Sequence, residues 1–207
     1  MVYRTLRWNV AMVPTQVHKR ETKMKKLMLG VALIAGIGTA AISQGMPPFG
    51  SDDDAAYAAA IWEAMGAQNL TGPNAIHVTP YEGTDPHGMM LETFYSSATI
   101  DGHTGDLIVK RNYGPAGVSV EDVMSNPDGH LGAITVMFRR EAGYDPEDQN
   151  WFWAKFLPDG SLDKNPKGMM LAGQVAKGMD VGCIACHSGA GGDDFVFTAD
   201  DIAATME

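Results

Sequence analysis

Cysteine is scarce in this chain: two among 207 residues, Cys183 and Cys186. A disulfide between residues three apart closes too small a loop to stabilise a fold. No second C-x-x-C completes a thiolate zinc site. A thioredoxin-like pair belongs near the start of its domain in a βαβ context, and this pair lies near the end. Basic residues are also few, 15 against 25 acidic. Residues 1–43 hold seven of the basic residues and one acidic residue, so the remainder has 8 against 24, or about −16 with His neutral. Such a surface repels nucleic acid and anionic lipid, and no nucleic-acid partner is expected. There are no internal repeats. The apolar run Leu27 to Ser43 is short for a membrane span and interrupted by glycines.

That run is better explained as an address. Met24-Lys25-Lys26 supplies a basic start, the apolar stretch follows, and Ala41 and Ser43 place small residues before a cut at Gln44. Residues 24–43 therefore read as a signal peptide directing the chain to the periplasm, with a retained anchor as the lesser alternative. Residues 1–23 read as a mis-assigned extension upstream of a true start at Met24. Residues 44–54, with Gly, Pro and the run Asp52-Asp53-Asp54, read as a flexible leader. Residues 55–207 are expected to form one domain.

What the sequence does hold is Cys183-Ile184-Ala185-Cys186-His187. C-x-x-C-H is the attachment signature of a c-type haem. Two thiols about one helical turn apart can each form a thioether with a porphyrin vinyl group, and the following imidazole is a standard axial ligand for the iron. One covalent haem c is expected, with Cys183, Cys186 and His187 as its protein ligands.

Around the motif the pattern alternates more than it spirals. Asp54 caps an expected helix over 55–67, with Tyr57, Ile61, Trp62 and Met65 as its apolar stripe. Residues 68–86, rich in Pro and Gly, read as loops. Strands are expected over 89–95 and 106–113, joined through Asp101-Gly102 and Gly105. A short helical piece is expected around 118–124, then a turn over 126–129. The strongest strand is 131–139. Another covers 151–157, with Trp151 and Trp153 on one face and Phe152 and Phe156 on the other. A strand apolar on both faces is covered twice, here by the N-terminal helix and by the haem. Residues 160–178 read as irregular, the haem motif as a short helix, and 199–206 as a terminal helix. The fold class is α+β: a mainly antiparallel sheet with flanking helices packed on the covalently attached haem. A strand-rich body with the motif near its end argues against the helical electron-carrier cytochromes, which often place C-x-x-C-H near the start.

Four segments then carry a resemblance. They are Gly105-Asp106-Leu107-Ile108-Val109-Lys110, Asn150 to Phe156 with Pro158-Asp159-Gly160, Cys183 to His187, and Asp194-Phe195-Val196-Phe197-Thr198. In that order they are similar to the cytochrome P460 and cytochrome c′-β family. The resemblance implies an antiparallel sheet packed on one haem, often a homodimer, with the iron held by His187 alone and its opposite face open to a small nitrogen-oxide ligand. Enzymatic members oxidise hydroxylamine, with nitric oxide and nitrous oxide among the products, while the c′-β branch binds nitric oxide. A soluble cytochrome is the expected electron partner.

In the P460 branch the lysine matching Lys110 is cross-linked to the porphyrin. The plainer alternative makes Lys110 a sheet-edge lysine, solvated or paired with a propionate, with Arg111 beside it. Strand 131–138 is expected to line the distal pocket through Thr135, Met137 and Phe138, with Phe94 as a further cap. The enzymatic branch places a carboxylate there for proton transfer, and this strand has none. That departure leaves three readings: a ligand-binding haem protein, a six-coordinate electron carrier using Met137 or a histidine, and a hydroxylamine oxidase with Lys110 cross-linked. His87 and His130 read as turn residues, and His77 and His103 as loop residues.

Overall fold

The computed structural model describes residues 48–197. The expected extension, the signal peptide and the terminal helix over 199–206 lie outside the described residues. All described residues fall in the second of two units into which the chain divides, Ser43–Glu207.

The centre is a six-stranded antiparallel meander in sequential order, β1 to β6. Its strands are β1 Tyr81–Glu82, β2 Met90–Ile100, β3 His103–Tyr113, β4 Leu131–Arg139, β5 Trp151–Phe156 and β6 Ala172–Gly173. Local chemistry sets the hairpins. Asp101 and Gly102 both take positive φ, 49° and 82°, which suits a tight β2–β3 turn. Gly105 is therefore not part of that turn but of strand β3. A Cβ there would lie 1.9 Å from the Arg139 carbonyl oxygen, so glycine is needed for close approach. β1 and β6 fall in segments that the sequence presents as irregular. Both are two residues long and lack room for an alternating pattern.

Helix α1 runs Asp52–Ala67 and begins earlier than its sequence pattern predicts. Ser51 is the N-cap. Its Oγ accepts from the Asp54 backbone N–H at 3.0 Å, and the Asp54 carboxylate accepts from the Ser51 backbone N–H at 3.1 Å. Asp54 is thus the third helical residue of a capping box rather than the cap. Nor does the leader reach residue 54. Phe49 is buried and pairs with Gly173, and the Gly50 N–H donates to the Ala172 carbonyl at 2.7 Å. Two short helices, α2 Val120–Ser125 and α3 Pro127–His130, bridge β3 and β4, and α4 spans Cys183–His187.

The two-residue side-chain period divides the sheet into two faces. On one, Tyr57, Ala58, Ile61 and Met65 of α1 pack against Phe94, Leu107, Val109, Ile134, Val136, Phe138, Phe152 and Phe156. On the other, Ile108, Met137, Trp151 and Trp153 meet Phe49, Val175, Ala176 and Ile184. The double covering expected of β5 is present, with α1 on one side and the α4 segment on the other. This α+β architecture places Cys183, Cys186 and His187 over the second face.

Candidate haem site

Strand register builds the floor of the site. Thr93 pairs with Lys110, Lys110 with Thr135, and Thr135 with Lys155, forming one row across β2 to β5. The neighbouring row places Ile108, Met137 and Trp153 side by side. Met137 and Thr135 therefore face α4. Phe138 and Phe94 do not: both belong to the α1 face, because side chains reverse at each residue along a strand. Phe138 packs against Tyr57, with ring centres 6.1 Å apart, so it and Phe94 are removed from the expected distal set.

Helix α4 has no side-chain cap, and a single turn carries both thiols and the imidazole. Cys183 and Cys186 are free, Cys186 being exposed. Burial pushes the Cys183 thiol up to about 11. His187 is buried against Trp153, with ring centres 4.8 Å apart, and against Phe197 at 5.3 Å. Its Nδ1 lies 2.7 Å from the Phe195 carbonyl oxygen. A carbonyl only accepts, so Nδ1 carries the hydrogen and Nε2 keeps its lone pair. An outer hydrogen bond of this kind fixes the tautomer of a metal-ligating histidine. Burial lowers the His187 pKa to about 4, which keeps the ring neutral. The segment supplying the carbonyl is fixed by a second bond, from Trp151 Nε1 to the Asp194 carbonyl at 2.7 Å. The aromatic residues of β5 and the Asp194–Phe197 segment, far apart in sequence, thus jointly orient His187.

Lys110 lies in the third of six strands and is 6 % exposed, so the sheet-edge, solvated reading is wrong. Its side-chain amine has no hydrogen bond or ion pair among the described residues. Burial lowers its pKa, opposed by the nearby Cys186. Its neighbour Arg111 points to the opposite face, where Nη1 donates to Glu92 Oε2 at 3.1 Å and to the Ile76 carbonyl at 2.7 Å. A cavity of about 310 Å³ adjoins Arg111 and Tyr113. It lies on the face away from α4, and the guanidinium beside it is already occupied by protein acceptors.

The histidines separate clearly. His77 contacts Glu92 at 3.3 Å, His103 the Arg139 carbonyl at 3.1 Å and His130 the Gly114 carbonyl at 3.2 Å. His87 instead sits in the site, its ring centre 6.1 Å from that of His187. Its turn-like sequence, Asp85-Pro86-His87-Gly88, hides this role, and only the folding of the loop onto β3 shows it. Asn112 and Trp153 were likewise not distinguishable as site residues from their strand patterns.

The residues present fit a haem. Two free thiols and a neutral imidazole with a free Nε2 occupy one helical turn. Beneath them lie an apolar row, the side chain of Lys110, and a buried donor with no partner among the described residues, the Trp153 indole N–H. Unpaired buried donors are costly, and a group carrying acceptors would satisfy them. Among the described residues no helix is long and apolar enough to cross a membrane. Comparison with known proteins gives a consistent result. The family model for cytochrome P460 matches residues 91–198, a span that includes β3, β4, β5 and α4. No curated protein and no solved structure matches the chain. With more than half of its 207 residues matched, the chain belongs to the cytochrome P460 family, whose members are c-type haem cytochromes.

Proposed function

We propose that this protein is a periplasmic mono-haem cytochrome in which Cys183 and Cys186 form the two thioethers, His187 Nε2 holds the iron, and a small nitrogen oxide is taken up on the face opposite His187. Bound haem supplies an iron centre able to coordinate nitric oxide or hydroxylamine. The observation that carries this reading is the orientation of His187: its Nδ1 is bonded to Phe195 and its Nε2 is free, on the turn that bears both thiols.

This chain's own residues exclude water and hold charge. Ile108, Met137 and Trp153 give the sheet an apolar surface beneath α4, with Trp153 packed directly on His187. β4 offers no carboxylate, and the buried Glu92 is committed to Arg111 on the other face. Proton transfer to or from hydroxylamine therefore lacks the acid–base group that the enzymatic branch uses, and ligand binding is favoured over turnover. The signal-like segment 24–43 supports export. A soluble cytochrome electron partner and a homodimer belong to the same proposal, on the strength of the family resemblance.

The test is expression beside a haem-ligation apparatus. A covalent haem detected by intact mass, lost in Cys183→Ser/Cys186→Ser, and a ferrous form that binds nitric oxide are the expected results. Colourless protein would sink the proposal. The same mass spectrum reads a Lys110–porphyrin bond, and addition of hydroxylamine tests turnover.

A further inference from the structure

The reading above assigns no protein group to the side of the iron opposite His187. The geometry points to His87: its Nε2 occupies the sixth position at rest and yields it to the incoming ligand. This inference rests on the haem reading and adds a gate to the same site.

Three observations converge on His87. The first is spacing. Two imidazoles bonded to one metal from opposite sides, each through a ring nitrogen at about 2 Å, hold their ring centres about 6 Å apart. The rings of His87 and His187 have centres 6.1 Å apart, with planes at 82°. The second is tautomer. His87 Nδ1 lies 3.2 Å from Asn112 Oδ1 and 3.4 Å from Thr135 Oγ1. The Asn112 amide nitrogen donates to the Lys110 and Ala133 carbonyls and to Thr135 Oγ1, each at 3.3 Å. That amide nitrogen faces acceptors, so its oxygen faces His87, and Nδ1 carries the hydrogen. Nε2 is left with a lone pair and has no hydrogen-bond partner among the described residues. His87 thus has the same arrangement as His187: Nδ1 tied down and Nε2 free.

The third is the loop that delivers the ring. Residues 83–88 close on themselves and onto β3. The Gly83 N–H donates to the Met89 carbonyl at 2.9 Å, the His87 N–H to Thr84 at 2.8 Å, and the Met89 N–H to Tyr113 at 2.8 Å. A Cβ on Gly88 would lie 2.4 Å from the Tyr113 nitrogen, so only glycine lets the loop lie this close to the strand. This is a loop tied at both ends, and six residues long it can let one side chain move without disturbing the sheet.

The experiment uses haem-loaded wild type, His87→Gly and Met137→Leu, read by optical and electron paramagnetic resonance spectra of the ferric form and by carbon monoxide binding to the ferrous form. The expected wild-type spectrum is low-spin. His87→Gly turns high-spin, and added imidazole restores the low-spin signal. Carbon monoxide uptake in the wild type saturates with concentration, because His87 departure limits it. In His87→Gly the apparent affinity rises about tenfold or more, as the competent fraction is no longer limiting. A high-spin wild type overturns the inference, and needs no variant to be read. A low-spin signal that survives His87→Gly, or that is lost only in Met137→Leu, overturns it as well. Protein without haem overturns the underlying reading, whereas a haem-bearing, high-spin wild type overturns the His87 gate alone.

Discussion

Two neighbouring residues on β3, Lys110 and Arg111, show how burial treats opposite cases. Both are cationic and almost fully buried, but they point to opposite faces. Arg111 is matched: Glu92 accepts from it, Tyr113 Oη donates to the same carboxylate, and the Leu70 and Ile76 carbonyls accept further hydrogen bonds from the guanidinium. Removing one partner of such a pair strands the other charge. Arg111→Met is expected to cost about 3–5 kcal/mol in urea unfolding, and adding Glu92→Gln should recover much of the loss. The Lys110 amine, by contrast, has no hydrogen-bond or ion-pair partner among the described residues, which marks its face as the one that receives something.

At the scale of elements, each strand carries two sets of side chains with separate tasks. Phe138 is fully buried beneath α1. Phe138→Ala should cost about 3–5 kcal/mol while leaving the ferrous haem spectrum unchanged, since its face is not the haem face. The α1 capping box predicts a smaller effect. Ser51→Ala should lower stability by about 1 kcal/mol in the same titration, with haem content unaffected. The 83–88 loop connects an element to the site. Gly88→Ala must push the loop off Tyr113, so its ferric spectrum is expected to shift toward that of His87→Gly. An unchanged spectrum would show that the loop position does not set the iron's sixth ligand.

For the whole molecule, buried tyrosines set a limit at high pH. Burial is the main cause that raises Tyr57, Tyr113 and Tyr144 above the ordinary value near 10. The folded state therefore keeps phenolic protons that the unfolded chain gives up. Their contribution to stability is fully present below pH 10 and is lost as pH rises beyond it. Lys177, raised chiefly by its bond to Asp145, acts in the same direction above pH 10.5. Urea midpoints should fall steadily above pH 10, and a flat profile there would contradict the burial of these groups.

Much was legible beforehand because it depends on short-range pattern. C-x-x-C-H specifies its chemistry within five residues, 131–139 is dense in apolar and β-branched residues, and Asp101-Gly102 fixes a hairpin; the family resemblance rests on four short segments in order. The sequence also exposed the two-faced character of β5, though not which residues of β4 share its site face, since a slip of one residue exchanges Met137 for Phe138. Other features depend on contacts between distant segments and have no local signature. Burial of Lys110 in a central strand, pairing of Arg111 with Glu92 on the other face, and support of His187 by Phe195 belong to this class. His87 is the clearest case: in the sequence it is one residue of a Pro-Gly turn. Residues identify themselves when their role is set by neighbours along the chain. The placement of His87 against His187, a hundred positions away, is decided by how the backbone of the 83–88 loop packs on β3, and only the assembled fold contains that information.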